Sequence, residues 1–332
     1  MIKFIDEHKL KPFIYKFVGR NKWALKLLKG GLLNQNYILI VGSKKFVLKV
    51  YRPEVTVEKA KEMFGIMRFI LKHGIPAVLP IDSTIIEGFT VSIFPFINAE
   101  HPPRYKNSHG RIKNMGIMLG KIHSVLGEYK TTAPIPSLEK LTRPLEPRNS
   151  LSEIKDLRKR LRTLPKTNRR ELMSVLDTYE DIISTEAWGN VAFDKLPVHY
   201  IHGDYHINNL FTKDNKVIAI IDWEKSKQSY RAYEIMRSVI FNCRKSAGEF
   251  SWPLIEEYLK AYTSQIKITD IEAEYAFECG YRAVVFGFWA IRQYLAGHKH
   301  FRTNILKRKK IIQLMTKHRA EYSERIAGLL LK

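Results

Sequence analysis

A short polar island limits the folds open to this chain. Tyr200-Ile-His-Gly-Asp-Tyr-His-Ile-Asn-Asn-Leu-Phe211 sets two histidines, one aspartate and two asparagines between apolar borders. A second apolar run, Val217-Ile-Ala-Ile-Ile221, ends at Asp222. Asn209-Leu-Phe-Thr212 and Val217 to Ile221 read as a hairpin around Lys213-Asp-Asn-Lys216, which brings Asp222 back toward Asn209.

Three readings compete for the island. On a strand, His202, Asp204 and His206 alternate onto one face, and zinc accepts such ligands. No further His or Cys stands nearby at ligand spacing, however, and the asparagines go unused. A turn whose side chains satisfy its own backbone explains one or two polar residues, not this density beside apolar strands. The third reading is catalytic. His202-Gly203-Asp204, with Asn209 five residues after the aspartate, has the order H-x-D-x-x-x-x-N of a kinase catalytic loop. Phosphoryl transfer needs one carboxylate to orient the attacking hydroxyl and accept its proton. It also needs a carboxylate and an amide to hold Mg²⁺ against the phosphates. Asp204, Asp222 and Asn209 supply these groups.

At 332 residues, 45% hydrophobic and 27% charged, the chain is long enough for two lobes and globular in balance. Its first residues lack the apolar core of a signal peptide, and no apolar run reaches the roughly 20 residues of a membrane helix. Cys243 and Cys279 have no partners at metal-ligand spacing, so a cytoplasmic protein with reduced thiols is expected. The formal net charge is +23, from 56 Lys and Arg against 33 Asp and Glu. The excess concentrates between Arg143 and Arg170 and again at Lys307 to Lys310. Such charge lies on solvated helix faces or attracts something anionic: a phosphorylated small molecule or an acidic surface met peripherally. No aromatic-interleaved basic motif accompanies it, which argues against nucleic acid.

Along the chain, Tyr37 to Val41 and Lys45 to Tyr51 read as a hairpin across Gly42-Ser43. Val57 to His73 has helical spacing, with Gly74 placed as a C-cap and Pro76 beyond it. Phe89 to Phe94 is a further strand, and the join from Phe94 to Glu100 is a candidate hinge. Lys113 to Leu126, Leu151 to Leu164 and Arg169 to Ser184 read as helices, and Pro134 to Pro147 as an irregular connection. A strand-rich part, residues 1–97, thus precedes a helix-rich part, residues 98–332.

The pairing of His202-Gly-Asp-Tyr-His-Ile-Asn-Asn209 with Ile220-Ile-Asp-Trp-Glu224 resembles the aminoglycoside phosphotransferase-like superfamily of small-molecule kinases. Choline kinases, protein-kinase-type homoserine kinases and methylthioribose kinases belong to the same superfamily. Tyr233 to Arg237 is similar to the segment that follows the metal aspartate there. The resemblance implies an α+β, two-lobed protein-kinase-like fold, with residues 1–97 as the nucleotide-binding lobe and 98–332 carrying the catalytic loop and substrate helices. It implies ATP and Mg²⁺ as cofactors, Asp204 as catalytic base, and Asn209 and Asp222 as metal ligands. His206 is expected to brace the loop and His202 to be structural, while Glu224 is read equally as a partner of the site or as an exposed residue.

On the nucleotide side the resemblance makes Lys49, in Phe46-Val-Leu-Lys-Val50, the strand lysine that contacts phosphates. Such a lysine needs a helix glutamate. Glu58 and Glu62 sit one turn apart on one face, and Glu62 is preferred. Lys29 to Tyr37 resembles the phosphate-covering loop, with Gly31, Asn34 and Asn36 as candidates. Adenine is expected against backbone groups near Pro95, Phe96 and Ile97.

The expected acceptor is a small-molecule hydroxyl. A polycationic aminoglycoside calls for an acid-lined site, and the basic composition argues against one, although Glu272, Glu274 and Glu278 form a small cluster. Choline calls for an aromatic cage; Tyr275, Phe277, Tyr281, Phe286, Phe288, Trp289 and Tyr294 offer rings, which at helical spacing more often form core. The alternative is a kinase-like scaffold, similar to spore-coat members of the superfamily.

Overall fold

The computed structural model describes residues 5–28, 34–99, 107–131, 134–147, 149–189, 191–245 and 249–332. Along the chain, α1 (Glu7–Val18) leads into strands β1 (Trp23–Leu27), β2 (Gln35–Val41) and β3 (Lys44–Val50). Then come α2 (Val57–Lys72), β4 (Asp82–Ile86) and β5 (Phe89–Pro95). Helices α3 (His109–Gly127), α4 (Leu138–Thr142), α5 (Ser150–Arg162) and α6 (Lys166–Thr185) follow. Short strands β6 (Val198–Ile201), β7 (Leu210–Lys213), β8 (Lys216–Ile220) and β9 (Lys227–Tyr230) carry the polar island between them. The chain ends in α7 (Arg231–Asn242), α8 (Trp252–Thr263), α9 (Asp270–Val285), α10 (Trp289–Leu295), α11 (Phe301–Lys317) and α12 (Arg319–Leu330).

Contacts divide the chain into two units. One comprises Met1–His101 with Asn208–Ser226, the other Pro102–Ile207 with Lys227–Lys332. The division is discontinuous in sequence: the β7–β8 hairpin and Asp222 group with the N-terminal strands.

In the first unit an antiparallel sheet has the order β1-β2-β3-β5-β4. Alternation along its strands buries Tyr37, Leu39, Leu48, Val50, Val91 and Ile93 in one core with Leu10, Phe13, Ile14 and Val18 of α1. These α1 residues follow the i, i+3, i+4, i+8 spacing of an amphipathic helix, and each is worth about 1.5–3 kcal/mol when fully buried. Sequence inspection missed α1 because Pro12 interrupts its hydrogen-bond ladder and reads as a breaker. The other expected elements are present. Gly42, at φ 58°, turns β2 into β3, and α2 is capped by Thr56, which accepts the Lys59 N–H at 3.3 Å. Gly74, at φ 78°, follows the helix end.

The β7–β8 hairpin turns on Asp214 and Asn215, both left-handed, with φ 49° and 63°; these residues tolerate the primed turns that suit hairpin twist. Backbone bonds tie it to the segment after α2. Ile220 N–H donates to the Pro76 carbonyl at 2.9 Å, and Val78 N–H donates to the Ile220 carbonyl at 3.3 Å.

The second unit is mainly helical, with β6 and β9 paired antiparallel. Glycine sets two close helix contacts. A Cβ at Gly116 of α3 would stand 2.4 Å from the Tyr258 carbonyl oxygen of α8, and one at Gly280 of α9 would stand 2.6 Å from Cβ of Met236 on α7. Residues 134–147 are more ordered than the prolines suggest: Ser137 caps α4 and a 3-10 turn spans Arg143–Leu145. Phe277, Tyr281, Phe288 and Tyr294 are core, each buried to 1% exposure or less. Among the described residues no helix is long and apolar enough to cross a membrane.

Candidate active site

In the first unit the sheet delivers Lys49 to the end of the β7–β8 hairpin. Apolar neighbours on β3 bury the lysine to 7% exposure, and its ammonium finds two carboxylates. Nζ donates to Oδ1 of Asp222 at 2.6 Å and lies 3.1 Å from Oε2 of Glu224. Burial pushes this amine down, but Asp222 and then Glu224 more than reverse the effect, so its pKa lies above the usual lysine range. The aromatic ring of Tyr51 is 4.7 Å from Nζ.

Glu224 is buried at 5% exposure and is satisfied on several sides. The Asn34 amide donates to Oε2 at 2.6 Å, and Arg52 Nε lies 3.6 Å from Oε1. Asn34 in turn accepts the Arg52 backbone N–H at 3.0 Å. Asp222 differs: its side chain is 41% exposed, and its backbone is left-handed at φ 61°, ψ 50°. A non-glycine residue held there stores backbone strain of the kind found at functional sites. Buried Trp223 anchors the turn, donating from its indole to the Ile220 carbonyl at 3.1 Å.

The hairpin also brings Asn209 and Asp222 together as expected: Ile221 N–H donates to the Asn209 carbonyl at 3.0 Å, and Asn209 is 5% exposed. Asn36 stands in register with Lys49 across β2 and β3. Phe96 and Ile97 are half-buried just after β5, with the Lys45 ammonium 5.6 Å over the Phe96 ring. Gly31 lies outside the described residues. Glu62 and Glu58 lie exposed on α2. Glu224 from the hairpin end, not an α2 glutamate, joins Asp222 at Lys49.

The second unit holds Asp204, and one face of α7 organises its loop. Glu234, Arg237, Phe241 and Asn242 stand at i, i+3, i+7 and i+8, a spacing that shares one helix face, and each meets a different part of residues 202–207. Glu234 is fully buried and accepts the backbone N–H of His202 at 2.8 Å and that of Gly203. The ring of His123, from α3, is 3.0 Å from the same carboxylate and 2.9 Å from the Tyr262 hydroxyl. An ionised Glu234 only accepts, so Nε2 of His123 donates to it. Burial would raise the Glu234 carboxyl, but His123 and the backbone N–H groups outweigh it and hold the pKa below the ordinary value.

Arg237 donates through Nη2 to Oδ1 of Asp204, and Nε2 of His206 is 3.3 Å from that oxygen. The His206 ring is itself stacked on Phe241, with centroids 5.2 Å apart. Asn242 accepts the Ile207 N–H at 3.0 Å and donates to Ser238 Oγ at 2.9 Å. Gly203, at φ 79°, makes the bend this arrangement requires. His202 is buried, its Nδ1 accepting the Asp204 N–H at 3.2 Å. Both histidines support the loop.

Sequence inspection missed Glu234, Arg237, Phe241, Asn242 and His123 as site residues. The available signal was a helix with ionisable groups on the stripe where apolar residues belong. Among the described residues no cluster of three or more His, Cys, Asp or Glu is arranged to hold a metal, so the zinc-cage reading has no counterpart there. The partly exposed Asp222 carboxylate does fit Mg²⁺ of the nucleotide-bound kind, which uses one or two carboxylates and takes its remaining oxygens from phosphates and water.

Residues 24–272 match the model of the phosphotransferase enzyme family. The chain is 22% identical over 281 residues to a homoserine kinase of Rhodospirillum rubrum, covering 81% of this chain and 79% of that protein. A homoserine kinase of Phenylobacterium zucineum is likewise 22% identical over 265 residues, covering 75% and 73%. Among solved structures, an amicoumacin kinase in complex with AMP-PNP, Ca²⁺ and Ami superposes with a TM-score of 0.61 at 12% identity, over 91% of this chain and 93% of that one. A microcompartment-associated aminopropanol kinase gives 0.59 at 12% identity, over 97% and 99%. The chain belongs to the phosphotransferase enzyme family: it is a small-molecule kinase with the protein-kinase-like α+β fold.

Proposed function

We propose that the protein is an ATP- and Mg²⁺-dependent phosphotransferase that moves the γ-phosphoryl group to a hydroxyl of a small molecule, with Asp204 as base. The observation that carries this reading is the Lys49–Asp222–Glu224 group, in which a buried lysine meets two carboxylates. It offers a cation for phosphate oxygens and, in Asp222, a carboxylate for a phosphate-bound metal. When bound, Mg²⁺ neutralises charge that develops on the phosphates. Lys49 holds phosphate oxygens, Asp222 and Asn209 are the metal ligands, and Glu224 keeps Lys49 and Asn34 in place. Asp204 orients the acceptor hydroxyl and takes its proton as the oxygen attacks phosphorus. Arg237 and His206 fix the rotamer of the Asp204 carboxylate during that step.

The acceptor is unlike a polycationic antibiotic. Glu272 is buried in a bidentate pair with Arg231 and also caps α9, while Glu278 is taken up by Arg282 and Arg319. Two of the three glutamates that could have received such a substrate are therefore paired with arginines within the protein.

The test is Asp204→Asn. The variant should keep the thermal shift given by Mg²⁺-ATP and lose turnover, read as ADP release, by a factor of about 10²–10⁴. Full turnover in the variant would remove Asp204 from the role of base, and no nucleotide-dependent shift in the wild-type protein would remove the reading as a whole.

A further inference from the structure

The α7 face that holds the Asp204 loop continues into a cationic and aromatic patch. Phe241, one turn beyond Arg237, is 38% exposed. The Arg237 guanidinium lies 4.8 Å from its ring centroid and that of Arg244 5.9 Å, and the His206 ring stacks on it with planes 20° apart. Three nitrogen-bearing side chains thus surround one open aromatic surface. Arg237 and His206 are also the residues that meet the Asp204 carboxylate. The Arg237 side chain is 23% exposed, and its buried Nε has no hydrogen-bond partner. Its fork is therefore held by Asp204 without a second protein acceptor at Nε.

We infer that this patch is the acceptor subsite, and that the acceptor is a small hydroxyl compound carrying a carboxylate or phosphate close to the hydroxyl. The inference rests on the phosphotransfer reading with Asp204 as base. A guanidinium fork matches the paired oxygens of a carboxylate or phosphate, in geometry and in charge. An ammonium-bearing acceptor in the same place would meet Arg237 and Arg244, a like-charge juxtaposition that selects against it. Phe241 offers an apolar surface for the carbon stem between the two groups. In this arrangement the anion engages Arg237 and Arg244, and the hydroxyl faces Asp204. The hydroxyl oxygen forms the new bond to the γ-phosphorus, its proton passes to Asp204, the bond to the β–γ bridging oxygen breaks, and ADP leaves with that electron pair.

The experiment is an acceptor panel with Mg²⁺-ATP, read as ADP release and as saturation-transfer NMR on the nucleotide-loaded protein. Glycerate and glycerol 3-phosphate carry the anion without an ammonium, glycerol is neutral, and choline and kanamycin are cationic. The anionic members should be turned over, or contacted in the NMR experiment, about tenfold more strongly than the others. Arg244→Gln should raise KM for the best of them about tenfold with kcat little changed, the scale of one lost charge-assisted contact. Equal or better use of glycerol, choline or kanamycin overturns the acceptor class and leaves phosphotransfer standing, as does an unchanged KM in Arg244→Gln. No contact by any anionic member overturns it too. A wild-type protein that takes up no Mg²⁺-ATP overturns the phosphotransfer reading and the acceptor class with it.

Discussion

Oε2 of Glu224 lies 3.1 Å from Nζ of Lys49 and accepts the side-chain amide of Asn34 at 2.6 Å. One buried carboxylate therefore ties the β3 lysine to the residue just before β2. Removing it leaves a buried ammonium with only partly exposed Asp222 as its anion. Breaking one side of a buried pair costs about 3–5 kcal/mol, and Asp222 should retain part of that here. Glu224→Ala is expected to lose about 2–3 kcal/mol in urea unfolding and to weaken Mg²⁺-ATP binding about tenfold in calorimetric titration. Wild-type affinity in a folded Glu224→Ala protein would show that Glu224 serves only the fold.

Glu234 serves the other unit in a comparable way. It accepts two successive backbone N–H groups, from His202 and Gly203, and contacts His123. A glutamine has one acceptor oxygen, so Glu234→Gln points an NH₂ group at a donor. An unsatisfied buried donor costs about 1–3 kcal/mol. The variant should unfold at lower urea by that amount. Its kcat should fall about tenfold or more while KM for ATP stays near wild type, because Asp204 rather than the nucleotide side is displaced. A fall confined to KM for ATP would contradict this placement of Glu234.

How much of this the sequence disclosed depends on how local each signal is. Asp204, Asn209 and Asp222 lie within nineteen positions of one another and carry a motif and a hairpin, so they were legible. Lys49 was legible because its place among apolar neighbours on a strand resembles that of the family's phosphate-contacting lysine. Which carboxylate it meets was not. The spacing of Glu58 and Glu62 placed both on one helix face but could not say where that face points, and the structure leaves them exposed. Glu224 gave no periodic signal, since it sits in a 3-10 turn. Glu234 and Arg237 stood in plain view on a helix, yet their meaning depends on a loop some thirty residues earlier folding back onto that helix.

Helix packing behind the loop yields a prediction with a built-in control. Gly280 lets α9 approach α7, and an added Cβ would stand 2.6 Å from Cβ of Met236 and 3.1 Å from Cδ1 of Ile240. Replacing a helical glycine by alanine gains up to about 1 kcal/mol in propensity, but overpacking a well-filled contact costs about 1–3 kcal/mol. Met236 Cβ moves only with its backbone, so the second effect should win. Gly280→Ala is expected to be about 1 kcal/mol less stable in urea unfolding. Gly127→Ala, with nothing within 4 Å of the added atom, should be neutral or slightly more stable. Equal effects at the two sites would show that α7 yields freely.

His199 on β6 gives the chain a titratable weak point. Its Nε2 is buried without a hydrogen-bond partner, and burial, reinforced by the nearby charge of Arg231, pushes its pKa from 6.5 down to about 4. The sign follows from the depressed value. Above about pH 6.5 neither folded nor unfolded chain protonates this histidine, so it contributes no pH dependence. Between about pH 6.5 and 4 the unfolded chain binds the proton and the folded chain does not, so stability falls as pH falls and the contribution levels off below about 4. A full shift of this size would be worth about 3 kcal/mol, and partial solvent exposure reduces it to about 1–2 kcal/mol. His199→Asn should remove that part of the slope in urea midpoints measured across this window, leaving the carboxylate-driven loss at lower pH, which Glu234 and Glu272 share through their lowered values. An unchanged slope in His199→Asn would mean that the protonated imidazole is accommodated beside Arg231 after all.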